Sequence, residues 1–99
     1  MLGKIKELME AQKRLQDMKR DLESLVVEHA TASGKISVTM NGTQRILDIS
    51  VSKELLSPEK QDAVQKGLVE CLNGAADKVQ REAALKLKAS MGDIKIPGL

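Results

Sequence analysis

The side chains of this sequence that could take part in chemistry are chiefly lysines and arginines, in two segments with helical patterning. Those of the first segment are Lys4, Lys6, Lys13, Arg14, Lys19 and Arg20, and those of the second are Lys78, Arg81, Lys86 and Lys88. Ammonium and guanidinium groups bind phosphates and other anions. Two structural explanations stay open. Cations interleaved with acids are typical of a solvated helix surface, and cations near a helix C-terminus complement its dipole.

Groups that perform catalysis or hold a metal are sparse. The lone histidine, His29, has no Cys, His or carboxylate at ligand spacing, and we expect an exposed strand residue there. The lone cysteine, Cys71, lies within an apolar helical stripe, which predicts a buried, inert thiol. There is no Gly-rich phosphate loop, CxxC, HExxH or Ser/His/Asp combination. We predict a binding or structural protein, not an enzyme, with no metal, cofactor or small-molecule substrate.

The composition narrows the possible partners. Sixteen Lys+Arg against fourteen Asp+Glu leave a net charge of +2, so no strong general attraction to nucleic acid or anionic lipid follows. The absence of Phe, Trp and Tyr excludes a base-stacking platform of the RRM or OB kind. The start, MLGKIKELME, mixes charges with apolar residues, so we expect neither a signal peptide nor a membrane span. These features, with a single cysteine, predict a cytoplasmic protein.

The two basic segments flank a stretch, Lys35–Val51, patterned as a β-hairpin. The apolar residues that recur there with a period of two are Ile36, Val38, Met40, Leu47, Ile49 and Val51. Asn41-Gly42 between them favours a two-residue type I′ turn. The preceding Val27–Ala32 is β-compatible and is followed by the turn signal Ser33-Gly34. We expect a three-stranded antiparallel meander over about residues 28–51, whose apolar face the flanking segments cover.

Residues 2–27 have the periodicity of a long amphipathic helix. Apolar residues recur at spacings of three and four, which predicts a heptad-like stripe that packs on a partner helix. The members of this stripe are Ile5, Leu8, Ala11, Leu15, Met18, Leu22, Leu25 and Val26.

A second long helix is predicted over residues 58–90. Ser57 can cap its free N–H groups, and Pro58 suits the first helical position. Gly67 and Gly74, one heptad apart, predict close packing against another element. The inner stripe of this helix is predicted to comprise Val64, Leu68, Cys71, Leu72, Ala75, Val79, Ala83 and Leu87. Gly92 is expected to end the helix.

Together these elements predict an α+β fold. The protomer is α-β-β-β-α, with a three-stranded antiparallel sheet between two long helices. Residues 1–91 form a single domain, and residues 92–99 are a short C-terminal tail. Two long helices extending from one small sheet leave apolar stripes that one copy cannot cover, so we expect an obligate oligomer, most simply a homodimer.

Several short segments, none specific alone, recur in a fairly specific order and spacing. They are MLGKIKELM, Ser33-Gly34, Val38–Gly42, the strand around Ile49, Leu55-Leu56, Leu72–Lys78, and Met91 followed by Pro97-Gly98. In this order the chain resembles the YbaB/EbfC family of bacterial nucleoid-associated proteins along nearly its whole length.

The resemblance implies a homodimer joined through its sheets and long helices. It further implies binding of double-stranded DNA with little or moderate sequence preference, and a role in nucleoid organisation or gene regulation. The family offers no invariant DNA-reading motif to transfer, so the candidate DNA contacts are the basic residues of the two helices. The favoured mechanism is a dimer that projects helical arms, whose cations contact phosphates.

Two other functions stay open. Helix stripes and apolar grooves suit a protein-interaction module, such as a coiled-coil adaptor or a helix-plus-hairpin chaperone, whose binding would tolerate salt. An RNA-binding protein is a third possibility, and a preference for A-form over B-form duplex would distinguish it.

Overall fold

The computed structural model describes residues 2–91. The chain forms, in order, helix α1 (Leu2–Ser24), strands β1 (Val26–Ala30), β2 (Ile36–Asn41) and β3 (Ile46–Val51), two short 3-10 turns (Lys53–Leu55 and Pro58–Lys60), and helix α2 (Gln61–Met91). The strands make one antiparallel sheet in the order β1-β2-β3. The predicted α-β-β-β-α architecture is confirmed. The predicted tail, residues 92–99, lies outside the described residues.

Helix α1 ends at Ser24, before the predicted residue 27. The Ser24 hydroxyl donates to the Asp21 carbonyl oxygen at 2.8 Å, and the chain then extends into β1. Val26 and Val27 pair with β2. Because β-branched side chains lose freedom in a helix and fit a pleated surface well, these valines favour the strand once a partner strand is present.

The start of the second helix also differs from the prediction. Pro58–Lys60 forms a 3-10 turn, and α-helical bonding begins at Gln61. Ser57 makes no side-chain capping bond to the backbone. Its hydroxyl instead bonds the carboxylate of Glu59, which lowers the pKa of that exposed group below its usual value.

The connection between β2 and β3 is longer than the predicted two-residue turn. It spans residues 42–45, and the positive φ lies at Gln44, at 64°. The Asn41 Oδ1 atom accepts hydrogen bonds from the Thr43 N–H at 3.0 Å, the Thr43 hydroxyl at 2.7 Å and the Arg45 N–H at 3.0 Å. The Asn41 carbonyl oxygen also accepts from the Gln44 N–H at 2.9 Å. The prediction of a two-residue type I′ turn was wrong, because the side chain and the backbone of Asn41 together hold a longer loop.

The core lies between α2 and the sheet. Its buried members are Ile36, Val38, Met40, Cys71, Ala75 and Val79. The close packing predicted at the two glycines is confirmed, because a Cβ at Gly67 would meet the Ile36 side chain and one at Gly74 would meet the His29 imidazole. These two glycines allow α2 to lie directly on β1 and β2.

Strand β3 lies largely outside the cover of α2. Leu47 and Ile49 are 49% and 47% exposed, although Ile49 pairs with the fully buried Val38. An irregularity in the pairing also places Ile46, rather than Leu47, opposite Met40. The prediction that the flanking helices cover this strand was wrong, since α2 packs chiefly on β1 and β2.

The described chain is elongated. Its longest dimension is 67 Å and its radius of gyration is 19.1 Å, against about 13 Å for a compact domain of this size. Most of α1 is exposed to solvent. The protomer therefore presents long helical surfaces in addition to the uncovered strand.

Candidate nucleic-acid interface

All the basic candidates of α1 are exposed. Lys6, Lys13 and Arg20 are spaced by seven residues, so they lie on one side of the helix at intervals of about 10 Å. We call these three residues the α1 row. At about 100° per residue, this row lies opposite the apolar stripe that contains Leu8 and Leu15.

The remaining cations of α1 are distributed around the helix. Lys4, Arg14 and Lys19 lie outside the row and add charge to its flanks. Within the row, an Arg20 Nη atom approaches an Asp17 carboxylate oxygen at 4.0 Å, with both side chains more than half exposed. An exposed pair at this distance contributes little and leaves Arg20 free to exchange partners.

Two of the basic candidates on α2 bind within the protomer. The Lys78 ammonium donates to the Glu28 carbonyl oxygen at 2.8 Å, and the Lys86 ammonium donates to the Asp21 carbonyl oxygen at 3.3 Å. Lys78 thus joins α2 to β1, and Lys86 joins α2 to the end of α1. Both lysines have a structural contact that the sequence did not indicate.

The other two basic candidates on α2, Arg81 and Lys88, are exposed. They are also seven residues apart, so they share one side of the helix at an interval of about 10 Å. We call them the α2 pair. Among the described residues, neither approaches a carboxylate within 4.0 Å.

The two cation sets lie on neighbouring helices. The contacts between this part of the chain and α2 run in opposite sequence order. Glu28 bonds Lys78, whereas Asp21, which comes earlier in the chain, bonds Lys86, which comes later in α2. Helix α1 therefore runs antiparallel to the C-terminal part of α2, and both helices leave the same end of the sheet. The α1 row and the α2 pair are thereby held on one arm of the molecule.

The loop between β2 and β3 anchors the base of α1. The Gly42 N–H donates to the carbonyl oxygens of Leu22 at 2.8 Å and Leu25 at 2.9 Å. Since the last carbonyls of a helix have no donor within it, this contact caps α1. A Cβ at position 42 would collide with the Leu22 carbonyl oxygen. Glycine is required for this approach, which fixes the direction in which α1 leaves the sheet.

A groove lies between α1 and α2 just beyond this anchor. It has a volume of about 180 Å³, and its apolar wall includes Met18, Leu22, Ala83 and Leu87. This volume is below the range of about 300–1,000 Å³ that is typical of small-molecule sites. The groove is best explained as a helix contact that is only partly filled.

The two lone reactive residues lie where α2 packs on the sheet, away from the arm. His29 is half-buried against Gly74 with its Nδ1 atom buried and unbonded, so the expectation of an exposed residue was wrong. The predicted burial of Cys71 is confirmed: its Sγ donates to the Ile36 carbonyl oxygen at 3.3 Å. Burial raises the pKa of the Cys71 thiol, which opposes formation of the reactive thiolate.

Over residues 2–91, no cluster of three or more His, Cys, Asp or Glu side chains could hold a metal ion. None of the helices in that range is long and apolar enough to cross a membrane.

Sequence reasoning did not single out Arg45, an exposed cation close to the base of α1 in the chain's fold. It lies in the loop of residues 42–45, whose Gly42 touches the end of α1. At this turn the sequence was interpreted for backbone geometry, and the charge of Arg45 was not considered. The sequence shows a cation close to the turn, but only the fold shows that another residue of the same loop, Gly42, contacts the end of α1.

The comparisons with known proteins agree with this geometry. A model of the YbaB/EbfC DNA-binding family matches residues 1–94. A nucleoid-associated protein of Clostridium acetobutylicum is 27% identical over 95 residues, which cover 96% of this chain and 85% of that protein. One of Syntrophobacter fumaroxidans is 32% identical over 95 residues, covering 92% of this chain and 86% of the relative. The crystal structure of an uncharacterized protein from Helicobacter pylori has a similar fold, with a TM-score of 0.75 at 19% identity, covering 93% of this chain and 98% of that one.

Proposed function

The chain belongs to the YbaB/EbfC DNA-binding family, and we propose that it is a nucleoid-associated protein that binds double-stranded DNA as a homodimer. It acts without catalysis, in the bacterial cytoplasm at the nucleoid. The DNA contacts come from exposed cations on the helical arms, with little or moderate sequence preference. Beyond family membership, the observation that carries this proposal is the α1 row, in which three exposed cations share one side of a projecting helix.

The spacing of the α1 row suits phosphate contacts. From Lys6 to Arg20 the row extends about 21 Å along the helix, which corresponds to roughly six base pairs of duplex at about 3.4 Å each. Lysine and arginine contacts of this kind hold a protein on the duplex without reading base edges. The proposal of weak sequence preference follows from this kind of contact.

The uncovered strand supports the homodimer. Ile46 and Ile49 are 45% and 47% exposed on a strand that, within residues 2–91, pairs only with β2. A second copy that packs on this strand would bury these side chains and satisfy its free backbone groups. Each chain carries +2, so a dimer carries twice that, +4, and presents two arms to the duplex.

The experiment that tests the proposal removes equal charge at two places. One variant carries Lys6→Gln, Lys13→Gln and Arg20→Gln. The matched control carries Lys53→Gln, Lys60→Gln and Lys66→Gln, which are exposed residues of the 3-10 turns and the first part of α2. Fluorescence anisotropy with a labelled random-sequence duplex gives the affinity of each variant.

We expect the α1-row variant to bind at least about tenfold more weakly, with a shallower salt dependence, because phosphate contacts are lost. The control should lose much less. Equal losses in the two variants would mean that net charge alone drives binding. Unchanged affinity of the α1-row variant would contradict the proposed contacts on α1.

One observation favours a second candidate, a protein-interaction module. Leu8, Met9 and Leu15 of α1 are 65–66% exposed within the described residues, and such a surface suits an apolar partner. Binding of this kind would tolerate salt and would not depend on the α1 row. The variant pair above therefore separates the two candidates.

A further inference from the structure

The first half of α1 carries an apolar surface that residues 16–91 leave uncovered. Leu8 and Leu15 are 66% and 65% exposed, and Ala11 lies between them on the same side. We call these three residues the α1 stripe. Its continuation toward the sheet, at Met18 and Leu22, lies against α2 and is half-buried. The apolar side of α1 is therefore covered by α2 near the sheet and exposed beyond the end of α2.

The antiparallel arrangement shows which part of the chain comes next. Lys86 of α2 meets Asp21 of α1. Both helices rise by about 1.5 Å per residue. Met91 lies five residues after Lys86 and Gln16 lies five residues before Asp21, so Met91 and Gln16 are at the same level along the two antiparallel helices. Helix α2 thus ends at about the level of Leu15 and Gln16, where the α1 stripe begins.

We propose that residues 92–99 dock on the α1 stripe of the same chain. This segment, GDIKIPGL, offers the aliphatic side chains of Ile94, Ile96 and Leu99. Its eight residues reach up to about 26 Å when extended, whereas the stripe from Leu15 to Leu8 is about 10 Å long. The segment is therefore long enough, and apolar enough, to cover the stripe.

The tail has an advantage over a second copy as the occupant. It is covalently attached next to the stripe, so its effective concentration there is of millimolar order. A second copy would have to lose translational and rotational freedom to reach the same surface. The docked tail would lie opposite the α1 row and would leave Lys6, Lys13 and Arg20 exposed, so this inference is independent of DNA binding.

Hydrogen exchange in the full-length protein tests the inference. One variant carries Ile94→Ser and Ile96→Ser, and the matched control carries Asp93→Ser and Lys95→Ser in the same segment. Amide exchange is measured over Leu8–Leu15 and, as an internal reference, at Val38 in the core. Each protein is measured at two concentrations that differ by about a factor of fifty.

We expect amide exchange over Leu8–Leu15 to be about tenfold faster in the isoleucine variant, because burial of one isoleucine stabilises by at least that factor. The control should match the wild type, and Val38 should exchange equally in all three proteins. Equal exchange over Leu8–Leu15 in the variant and the wild type would overturn the inference. So would protection of that segment that rises with concentration and does not depend on the tail, since a second copy would then be the occupant.

Discussion

Gly67 and Gly74 determine how closely α2 approaches the sheet. Their heptad spacing was enough to predict close packing. Glycine within a helix lowers the stability of the helix by about 1 kcal/mol, so two glycines on one side indicate that another element packs closely there. The partners, Ile36 and His29, could not be predicted, since each lies on a strand far away in the sequence. His29 illustrates the same limit: its strand was predicted, but its burial depends on a glycine in another element.

Substitution Gly67→Ala should destabilise the fold. The added methyl would meet the Cδ1 atom of Ile36, whose side chain is 2% exposed and packed in the core. Overpacking of this kind costs about 1–3 kcal/mol, which exceeds the gain of about 1 kcal/mol in helix propensity. Urea unfolding of the variant measures the net loss. Gly3→Ala is the control, because nothing lies within 4 Å of a Cβ there; an equally stable Gly67→Ala protein would contradict the packing.

At the scale of elements, one loop determines the direction of a whole helix. The sequence predicted both helices, all three strands and their order, because each has a strong local period. It did not predict the Gly42 contact with Leu22 and Leu25, since nothing local indicates that the hairpin loop caps α1. The contact belongs to the four-residue loop held by Asn41, which replaces the expected two-residue turn.

Substitution Gly42→Ala should loosen α1 and leave the sheet intact. Its Cβ would collide with the Leu22 carbonyl oxygen, and backbone atoms cannot rotate away as a side chain can. We expect a loss of about 1–3 kcal/mol, seen as faster amide exchange at the end of α1. Thr43→Ala is the control, since it removes only the hydroxyl bond to Asn41. Similar exchange in both variants would mean that the loop does not anchor α1.

At the scale of the whole molecule, the uncovered surfaces indicate that one copy is incomplete. The sequence predicted uncovered apolar stripes and therefore an oligomer, but it did not predict that β3 is the strand left outside. Which strands α2 covers depends on how the helix crosses the sheet. A period of two identifies the apolar face of every strand, but it does not distinguish a face that a helix covers from one that it leaves exposed. The basic residues were similarly found from the sequence, whereas the internal contacts of Lys78 and Lys86 required the fold.

Substitution Ile49→Lys should prevent association of the proposed dimer. A charge placed at the half-exposed face of β3 would be buried without a partner in the interface. Sedimentation velocity should show a monomer for this variant and a dimer for the wild type. Ser50→Lys adds the same charge at the next position, whose side chain points to the other face of the strand. A dimer that persists in Ile49→Lys would place the interface away from this face of β3.

The central claim is that exposed cations on the helical arms bind DNA phosphates. Its most direct test is the affinity of the purified protein for a random-sequence duplex of about 30 base pairs at several salt concentrations, with polyglutamate as an anionic competitor. If about four to six phosphates are engaged, the logarithm of the binding constant should fall against the logarithm of salt concentration with a slope of roughly −4 to −5, and binding should resist polyglutamate. Affinity that does not change with salt, or no binding at low salt, would contradict the claim.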